Sequence, residues 1–458
     1  MAGLGYSRAM PSESYDVAIL GGGNAAFGVT VPTRTAGMKV LMVESRDLGG
    51  TCPNRGCTPK KVLVAAAHAL HEIGQAHVHG IKVGKPSLDW ATLIDREKDL
   101  IRGIPDRLAK TLEERGVDLI RDHAKFVGPN AIEAGGHRIE AKHIVIATGS
   151  KPRPLPIQGA ELMITSDEVL SERSLPGSVV FVGGGVIALE FGHVYARAGA
   201  EVTILEVLPR LLPGLDADAV EQIRKESERI GIKLHTGVKV KLVERTGGKL
   251  RTMFEQDGAD IAIDSDRVVN GAGRIANVED LDLDAGQIAH DGFKIAIDDY
   301  LRSRSNPAVY VCGDVTASPQ LSPIATYEGQ LVGRNIVGGA KHKPDYASLP
   351  SCVFTVPALA TVGLSEARAK ETGIKIRVQV NDMTDWFSTR TFAETVAWSK
   401  IIVNEETDQI VGAQFVGHAG EELINIFGLA MQHGITATGL RDFVFAYPSF
   451  SADIKHML

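Results

Sequence analysis

The sequence is poor in the features that mark secreted, membrane-spanning and nucleic-acid-binding proteins. Four cysteines in 458 residues are far fewer than a disulfide-stabilised scaffold carries. No apolar run approaches the roughly 20 residues of a membrane span, and residues 1–13 lack an apolar signal core. The formal charge of −7 and the pI near 6.1, without a basic cluster, argue against a nucleic-acid partner. We therefore expect a globular, cytoplasmic protein that binds neither nucleic acid nor membrane.

Two of the four cysteines lie close together. Cys52 and Cys57 stand in residues 49–61, after a glycine turn and before a dilysine. Thiols at this spacing can close a small ring and reopen it, which suits redox cycling better than structural cross-linking. Cys312 and Cys352 are interpreted as ordinary buried residues. The sequence therefore predicts one redox centre, at the first pair.

A strand, a glycine turn and a helix follow one another twice. The predicted strands cover residues 15–20 and 178–182, and in each unit a carboxylate about 20 positions on ends the next strand, Glu44 in the first and Glu206 in the second. Glycines let backbone N–H groups approach a pyrophosphate at a helix N-terminus, and the carboxylate accepts from ribose hydroxyls. Two dinucleotide sites are predicted, with the turns Gly21, Gly23, Ala26 and Gly183, Gly185, Ala188.

The rest of the pattern predicts the fold class. Residues 58–125 have mostly helical apolar spacing, and a buried strand over residues 144–150 precedes a proline-rich crossover. In the last ~110 residues, predicted strands over 399–403 and 409–415 precede a helix over 421–432. We predict an α/β protein with two Rossmann-like dinucleotide-binding domains and a C-terminal α+β domain.

Histidines in the helical region are weak candidates for metal binding. His68, His71 and Glu72 lie close together in sequence, but no complete ligand set accompanies them. No metal site is predicted.

Taken in order, the motifs resemble those of the disulfide-oxidoreductase flavoproteins, which include glutathione reductase, dihydrolipoamide dehydrogenase and mercuric reductase. The resemblance covers essentially the whole chain. It rests on Gly21-x-Gly23-x-x-Ala26, Gly50-Thr51-Cys52-x4-Cys57, Ala147-Thr148-Gly149, Gly183-x-Gly185-x-x-Ala188, Gly273-Arg274 and Gly313-Asp314.

The resemblance implies FAD in the first unit, a nicotinamide dinucleotide in the second and a homodimer built by the terminal domain. It implies that Asp314 bonds a ribityl hydroxyl and that Glu190 pairs with Lys60 or Lys61 beside the flavin. The implied cofactor contacts are Gly21, Gly23, Ala26, Glu44, Gly50, Thr51, Thr148, Gly149, Gly183, Gly185, Ala188, Glu206, Gly273, Gly313 and Asp314. The implied domains are 1–150 (FAD-binding, first part), 151–279 (NAD(P)-binding), 280–345 (FAD-binding and central, second part) and 346–458 (dimerisation).

The resemblance also implies a reaction path. Hydride passes from the nicotinamide to the flavin, and electrons then reduce the disulfide of Cys52 and Cys57. By family position, Cys57 is the flavin-side, charge-transfer thiol and Cys52 the interchange thiol.

Glu206 predicts the nicotinamide cofactor. A carboxylate here accepts from a ribose 2′-hydroxyl and repels a 2′-phosphate, whereas family members that use NADPH place arginines nearby. Arg210 is the only base close by in sequence. NADH is therefore favoured over NADPH.

The terminal motif departs from the family pattern. Disulfide-reducing members carry a His-Pro-Thr-x-x-Glu motif, but here Tyr447 stands in place of the histidine and Ala452 in place of the glutamate. A phenol with a pKa near 10 is a poor general base at neutral pH. Val31 and Pro32 occupy the region of the glutathione-binding arginine, which disfavours glutathione reduction. Mercuric reductases also carry a tyrosine here, but they end in a cysteine pair that this chain lacks.

Three hypotheses follow from this departure. The first is a mercuric-reductase-like enzyme that passes electrons through Cys52 and Cys57 to a thiophilic metal ion or another acceptor. The second is a dihydrolipoamide dehydrogenase or other small-disulfide reductase, with Tyr447, His456 or solvent replacing the missing base. The third is a redox-sensing or electron-delivering flavoprotein with a protein partner near Tyr447. The sequence leaves the physiological acceptor open.

Overall fold

A computed structural model of the chain describes residues 14–458. These residues form two compact units. The first comprises the chain up to Pro59, Leu100–Arg153 and Arg274–Pro344, and the second comprises Lys60–Asp99, Pro154–Gly273 and Asp345–Leu458. Across residues 14–458, no helix is both long and apolar enough to span a bilayer. The expectation for residues 1–13 lies outside the described residues.

Strands supply sheets in both units. In chain order they are β1 (Ser14–Leu20), β2 (Val40–Val43), β3 (Asp118–Ile120), β4 (Ala124–Gly128), β5 (Ala131–Ala134), β6 (His137–Ile146), β7 (Ser150–Pro152), β8 (Ser178–Val182), β9 (Glu201–Glu206), β10 (Lys233–Thr236), β11 (Lys239–Thr246), β12 (Lys249–Gln256), β13 (Ala259–Ser265), β14 (Arg267–Asn270), β15 (Arg274–Ala276), β16 (Val309–Val311), β17 (Ser351–Val353), β18 (Ala358–Gly363), β19 (Ile376–Asp382), β20 (Trp398–Asn404) and β21 (Ile410–Gly417).

The helices alternate with these strands through most of the chain. They are α1 (Asn24–Thr35), α2 (Thr51–Arg55), α3 (Cys57–Gln75), α4 (Trp90–Ile101), α5 (Ile104–Glu114), α6 (Ser166–Val169), α7 (Val186–Ala198), α8 (Ala217–Arg229), α9 (Ser322–Gly338), α10 (Glu366–Glu371), α11 (Phe387–Thr391), α12 (Gly420–Gln432), α13 (Ala437–Asp442) and α14 (Ile454–Met457). Short 3₁₀ turns cover Ala76–His79, Ala160–Leu162, Glu279–Leu281 and Phe450–Asp453.

The first unit is built on one mixed sheet. Its order is β3-β2-β1-β6-β5-β4, and β16 also pairs with β6. Strands β3, β2, β1, β6 and β16 run parallel, whereas β4 and β5 join by antiparallel pairing. The central strand β1 is apolar on both faces and almost wholly buried, as expected when helices cover both sides of a parallel sheet.

Helices α1 and α9 pack backbone against backbone in this unit. A Cβ added at Gly28 would lie 2.5 Å from the carbonyl oxygen of Thr326, and one at Gly329 would lie 2.0 Å from that of Ala25. Any side chain larger than a hydrogen at either glycine would force the helices apart. The close approach fixes the position of the N-terminus of α9, which begins at Ser322.

The second unit contains three sheets. A parallel sheet has the order β10-β9-β8-β14, an antiparallel meander has the order β11-β12-β13, and a five-stranded antiparallel sheet has the order β17-β18-β21-β20-β19. The second glycine turn follows β8 of the parallel sheet, and the five-stranded sheet belongs to the C-terminal region. The predicted fold class, two Rossmann-like units and a C-terminal α+β region, is confirmed.

Some local predictions were wrong at their edges. Residues 58–125 are mostly helical, as predicted, and strand begins only near their end, with β3 and the start of β4. The strand predicted over residues 144–150 ends at Ile146. The four-part domain division stays a prediction.

Candidate functional site

The first glycine turn brings backbone N–H groups to the start of α1. Gly21 has φ +106° and donates its N–H to Val43 O at 2.8 Å. A Cβ at Gly21 would lie 2.4 Å from the carbonyl oxygen of Ala147, so the turn requires glycine both for its φ and for the close approach. Gly23 precedes α1 as its N-cap without a side-chain cap. The first N–H groups of α1 are therefore available to an anion.

Glu44 is held by backbone hydrogen bonds at this turn. Its Oε2 accepts from Gly22 N at 2.6 Å and its Oε1 from Arg46 N at 2.6 Å. Two bonds occupy about half of the acceptor capacity of a carboxylate. The remaining lone pairs are aimed from a fixed position and can accept from ribose hydroxyls.

The second turn repeats this geometry. Gly183 also has φ +106°, and a Cβ there would lie 2.5 Å from the carbonyl oxygen of Gly271. Glu206 accepts from Gly184 N at 2.5 Å and from Leu208 N at 2.8 Å. Gly185 is the N-cap of α7.

The small residues predicted after each turn pack closely. Ala26 in α1 and Ala188 in α7 are each 0% exposed. A Cβ added at Gly50, which has φ +66°, would lie 2.9 Å from Gly23 Cα. Gly50 therefore lets the cysteine-bearing loop close against the first turn, and Thr51 opens α2 directly after it.

Four of the predicted contacts follow β6 and β16 in the first unit: Thr148, Gly149, Gly313 and Asp314. Gly149 and Gly313 have positive φ, at +70° and +80°; Gly273, which follows β14 in the second unit, has φ +92°. Asp314 accepts from Ser150 Oγ at 3.4 Å. Burial raises the pKa of its carboxyl, while the Arg274 charge and the Ser150 hydrogen bond oppose that shift.

The hydrogen bonding of the Thr148 hydroxyl indicates whether these residues fit a bound dinucleotide. Its Oγ1 is buried and has no hydrogen-bond partner within residues 14–458. An unsatisfied buried hydroxyl is costly unless a ligand or water pairs with it. The orphaned hydroxyl, the half-buried Asp314 carboxyl and the open α1 N-terminus fit a polar dinucleotide that supplies hydroxyls and a pyrophosphate.

The predicted redox cysteines lie at consecutive helices. Cys52 is half-buried in α2, and Cys57 is the exposed first residue of α3. A hydrogen bond with Cys57 raises the pKa of Cys52, burial adds to the shift, and hydrogen bonds with Ser322 and Asn24 oppose it. These contacts together favour the protonated form of Cys52.

Helix N-termini surround this pair. Cys57, Asn24 and Ser322 are the first residues of α3, α1 and α9, and Cys57 Sγ lies 3.5 Å from Ser322 Oγ. The N-terminus of a helix stabilises negative charge, and thiolates are stabilised at such positions. The three helix starts therefore favour a thiolate on the pair.

Asn24 and Ser322 were not predicted as thiol contacts. Asn24 belongs to the first glycine motif, so its place at the helix start was visible in the sequence, but its direction was not. Ser322 follows Cys57 by 265 positions, and only the packing of α9 on α1 brings it there. No local pattern could have indicated that contact.

A buried ion pair involves the first of the two lysines. Lys60 Nζ lies 2.8 Å from Glu190 Oε1, and the two residues are 9% and 4% exposed. Glu190 also accepts from Phe354 N at 2.8 Å, and the Lys60 ammonium lies 4.2 Å from the Phe354 ring centroid. The sequence left open which lysine pairs with Glu190, and the structure shows that it is Lys60.

Lys61 has a different partner. Its Nζ lies 3.2 Å from Glu421 Oε1 and 4.0 Å from the centroid of the Phe354 ring. Its side chain is 46% exposed, so this pair is worth less than a buried one. The two predicted lysines therefore have separate surroundings.

Tyr447 projects into solvent. Its residue is 78% exposed, and Ala452 is buried. His456 packs edge-on against Trp386, with ring centroids 6.0 Å apart.

Arg210 is occupied beside the second carboxylate. Its guanidinium donates to the carbonyl oxygen of Leu215 at 3.1 Å and to that of Pro213. Val207 and Leu208, which follow Glu206, are 67% and 43% exposed. The neighbourhood of Glu206 therefore presents a carboxylate and apolar side chains, with its arginine engaged elsewhere.

A metal ion has no ready-made cage in the described part of the chain. No group of three His, Cys, Asp or Glu side chains within residues 14–458 is arranged to hold one. Of the histidine candidates, His71 bonds Glu394 at 3.1 Å.

Comparison with known proteins gives the family. Residues 15–329 match the model of the pyridine nucleotide-disulphide oxidoreductases, and residues 349–458 match the model of the dimerisation domain of that family. Together the matches cover nearly all of the described chain.

Curated relatives and solved structures agree. The chain is 32% identical to a mercuric reductase of Staphylococcus aureus, over 98% of this chain and 85% of that protein. It is also 32% identical to a dihydrolipoyl dehydrogenase of Thermus scotoductus, over 96% and 95%. A solved Cu(II) complex of the HOCl-induced flavoprotein disulfide reductase RclA from Escherichia coli superposes with a TM-score of 0.87 at 26% identity, over 97% of this chain and 99% of that one. The chain belongs to the FAD-dependent pyridine nucleotide-disulphide oxidoreductase family.

Proposed function

We propose that this chain is a homodimeric NADH oxidoreductase that uses FAD and the Cys52–Cys57 pair to reduce a thiophilic metal ion. The observation that supports it most directly is the pair itself: Cys52 and Cys57 are hydrogen-bonded to each other, and Cys57 lies at the N-terminus of α3. The acceptor part of the proposal rests on Tyr447, which stands where disulfide-reducing relatives carry a histidine.

The first unit holds FAD in this proposal. The glycine turn and the N-terminus of α1 take the pyrophosphate, Glu44 takes ribose hydroxyls, and Thr148 and Asp314 take hydroxyl or polar ring groups. When bound, FAD accepts a hydride equivalent from the nicotinamide and transfers two electrons to the Cys52–Cys57 disulfide. The raised pKa of Asp314 fits a carboxyl that gains its hydrogen-bond partner with the cofactor.

The second unit holds NADH. Glu206 is fixed by two backbone N–H groups and keeps lone pairs for a ribose 2′-hydroxyl, which a 2′-phosphate would meet with charge repulsion. Arg210 is bound to two carbonyl groups and is not directed to that position. Both features support NADH over NADPH.

The two thiols have different roles in this proposal. Cys57, the exposed thiol at the start of α3, is the flavin-side sulfur that carries the negative charge. Cys52 holds the proton and acts as the interchange thiol that first meets the acceptor. Hydrogen bonds from Asn24 and Ser322 to Cys52 favour its deprotonation, which metal binding requires.

A thiophilic ion suits this site because it needs no imidazole base. Two thiolates are soft ligands for such ions. One turnover converts one NADH to NAD⁺ and a proton, and its two electrons reduce one Hg(II) or two Cu(II) ions as the Cys52–Cys57 disulfide re-forms. The mercuric reductase relatives and the Cu(II) complex of RclA support an ion as acceptor.

A small disulfide is the second candidate. The dihydrolipoyl dehydrogenase relatives match over nearly their whole length, and a hydrogen-bonded histidine and glutamate, His418 and Glu394, lie in the C-terminal region. That pair could replace the absent acid–base pair. Lipoamide turnover at neutral pH would favour this candidate.

Acceptor assays separate the candidates. Wild type and Tyr447→His are reduced anaerobically with NADH and assayed with Hg(II) or Cu(II) in excess thiol, and with lipoamide. If wild type reduces the ions but not lipoamide, the proposal is supported. If Tyr447→His gains lipoamide turnover, the gain measures what a histidine at this position contributes to disulfide reduction. Efficient lipoamide turnover by wild type would contradict the metal assignment.

Cys57→Ser tests the division between the thiols. This variant should lose the long-wavelength thiolate-to-flavin absorbance and more than about 100-fold of acceptor turnover, because the flavin-side thiolate is gone. Cys352→Ser, which removes a thiol outside the pair, is the matched control and should keep both. If the absorbance survives in Cys57→Ser and disappears in Cys52→Ser, the two roles are reversed.

A further inference from the structure

A buried carboxylate lies between two imidazoles in the second unit. Glu394, in the loop between α11 and β20, accepts from His71 Nε2 at 3.1 Å and from His418 Nδ1 at 2.8 Å. His71 belongs to α3, and His418 lies in the turn between β21 and α12. The side chains of Glu394 and His71 are 7% and 5% exposed, and that of His418 is 31% exposed. Three elements distant in sequence meet at one carboxylate.

The charge state of the cluster follows from its contacts. Burial works to raise the pKa of Glu394, but hydrogen bonds from His418 and His71 lower it to about 2. The hydrogen bond to Glu394 raises the pKa of His418, while burial opposes the rise. Other charged or titratable groups face the cluster: His68, Lys61 and Glu72 from α3, Glu421 from α12 and Arg197 from α7.

His418 connects the cluster to the terminal segment. Its ring centroid lies 4.7 Å from that of Phe450 and 4.9 Å from that of Phe392, and the two phenyl rings are 5.3 Å apart. Ser388 Oγ donates to Asp453 at the end of the 3₁₀ turn that Phe450 begins. Helix α11 and the loop after it, which carries Glu394, therefore contact the terminal segment at both ends of this turn.

A hydrogen-bonded turn connects Phe450 to Tyr447. Ser449 Oγ donates to Ala446 O at 2.5 Å and lies 2.9 Å from Ser451 Oγ. Tyr447 sits inside this turn with its side chain outward. An anchor at Phe450 therefore constrains the backbone turn that carries Tyr447, three residues before it.

We propose that Glu394 is a positioning residue for the acceptor half-reaction: with His71 and His418 it holds Phe450 and thereby Tyr447, and loss of the imidazole proton releases the segment. The role of Tyr447 in turnover rests on the proposed function, whereas the anchoring of the segment does not. A metal site would also bring imidazoles to a carboxylate, but the described residues form no such cage.

The pH dependence has a definite sign. Because the pKa of His418 is raised in the folded state, its stabilising contribution is complete below about 6.5 and is lost as pH rises through the raised value. Because the pKa of Glu394 is lowered, its contribution is lost only as pH falls towards about 2. The segment is therefore anchored from acid to neutral pH and released at alkaline pH.

Hydrogen–deuterium exchange of residues 443–450 in the holoenzyme tests the anchor directly. After correction for intrinsic exchange, Glu394→Gln and His418→Gln should each exchange about tenfold faster than wild type near pH 6, because each variant removes the charge-assisted hydrogen bond between His418 and Glu394. Near pH 9 wild type should match the variants. His456→Gln, which removes an imidazole from the same segment, is the control and should follow wild type. Equal exchange in wild type and both variants at each pH would overturn the proposal, as would the same acceleration in His456→Gln.

Kinetics provide the second readout. Glu394→Gln should leave flavin reduction by NADH unchanged, lower the kcat for the acceptor about tenfold and remove its alkaline fall. If Glu394→Gln does not fold, Phe450→Leu replaces it, because it loosens the same contact without a buried charge. If the variants exchange faster but wild type turns over no acceptor, the proposed function is wrong and the anchoring of the segment still holds. Unchanged acceptor kinetics together with faster exchange would overturn the positioning role.

Discussion

The two glycine turns share a backbone and differ in the helices that follow them. Gly21 donates to Val43 O at 2.8 Å and Gly183 donates to Leu205 O at 2.7 Å, with the same φ of +106°. Each turn also holds a carboxylate by two backbone N–H groups. The same backbone hydrogen bonds thus form, in each unit, a turn suited to a pyrophosphate.

The helices show how the two units diverge. Asn24 and Val186 are the first residues of α1 and α7, and only Asn24 reaches a thiol. At the fifth position α1 has Gly28, which admits the backbone of α9, whereas α7 has the buried Glu190, which receives Lys60. The residues at single helix positions therefore decide that the same backbone framework holds a thiol centre in one unit and a buried ion pair in the other.

The largest effect is expected from an alanine at either turn. Gly21→Ala and Gly183→Ala each place a Cβ within 2.5 Å of a carbonyl oxygen at a φ that L-residues disfavour. Gly21→Ala should lose bound flavin, measured by absorbance after gel filtration. Gly183→Ala should keep flavin and raise the KM for NADH at least about tenfold.

Gly214→Ala is the control for both substitutions. A Cβ at Gly214 meets no atom within 4 Å, so its flavin content and kinetics should match wild type. If each turn variant lost both cofactors equally, the assignment of one dinucleotide to each turn would be wrong.

A smaller effect is expected at the ion pair of Glu190, the position where α7 differs from α1. Lys60→Met leaves Glu190 buried without its cation, and breaking such a pair costs about 3–5 kcal/mol in the free energy of unfolding. Denaturant titration would measure it. The double variant Lys60→Met/Glu190→Leu should recover much of that loss. Lys61→Met, at the exposed pair with Glu421, should cost less than about 1 kcal/mol, and equal losses for both lysines would contradict the contrast.

The smallest effect concerns the second carboxylate. Glu206→Gln keeps a side-chain oxygen for Leu208 N but removes the charge that repels a 2′-phosphate, so the preference for NADH over NADPH should narrow by about tenfold. The ratio of the two kcat/KM values measures it. Arg210→Ala should leave the ratio unchanged, since that guanidinium is bound to carbonyl groups. A ratio unaffected by Glu206→Gln would remove the charge argument.

The sequence predicted the features that depend on short-range pattern. Glycine spacing, the carboxylate after the second strand and the cysteine spacing each lie within about 30 residues, so turn and strand rules apply to them. The fold class and the family followed from the order of these motifs.

The sequence could not predict contacts made by distant elements. Ser322 meets Cys57 because α9 packs on α1, and Glu394 meets His71 and His418 because three elements converge. The choice between Lys60 and Lys61 also depended on packing, since both follow Cys57 within one helical turn. Such contacts are set by the tertiary fold, and no local spacing encodes them.

The order in which the first unit is assembled has a consequence for its synthesis. Its helix α1 needs α9, which follows it by nearly 300 residues, and its strand β6 needs β16, which follows it by about 160 residues. At about 5–20 residues per second, a ribosome leaves α1 without α9 for roughly 15–60 s and β6 without β16 for roughly 8–33 s. During these intervals the apolar faces of α1 and β6 are exposed. Chaperone demand and aggregation of truncated chains should therefore be governed by the emergence of residues 309–338.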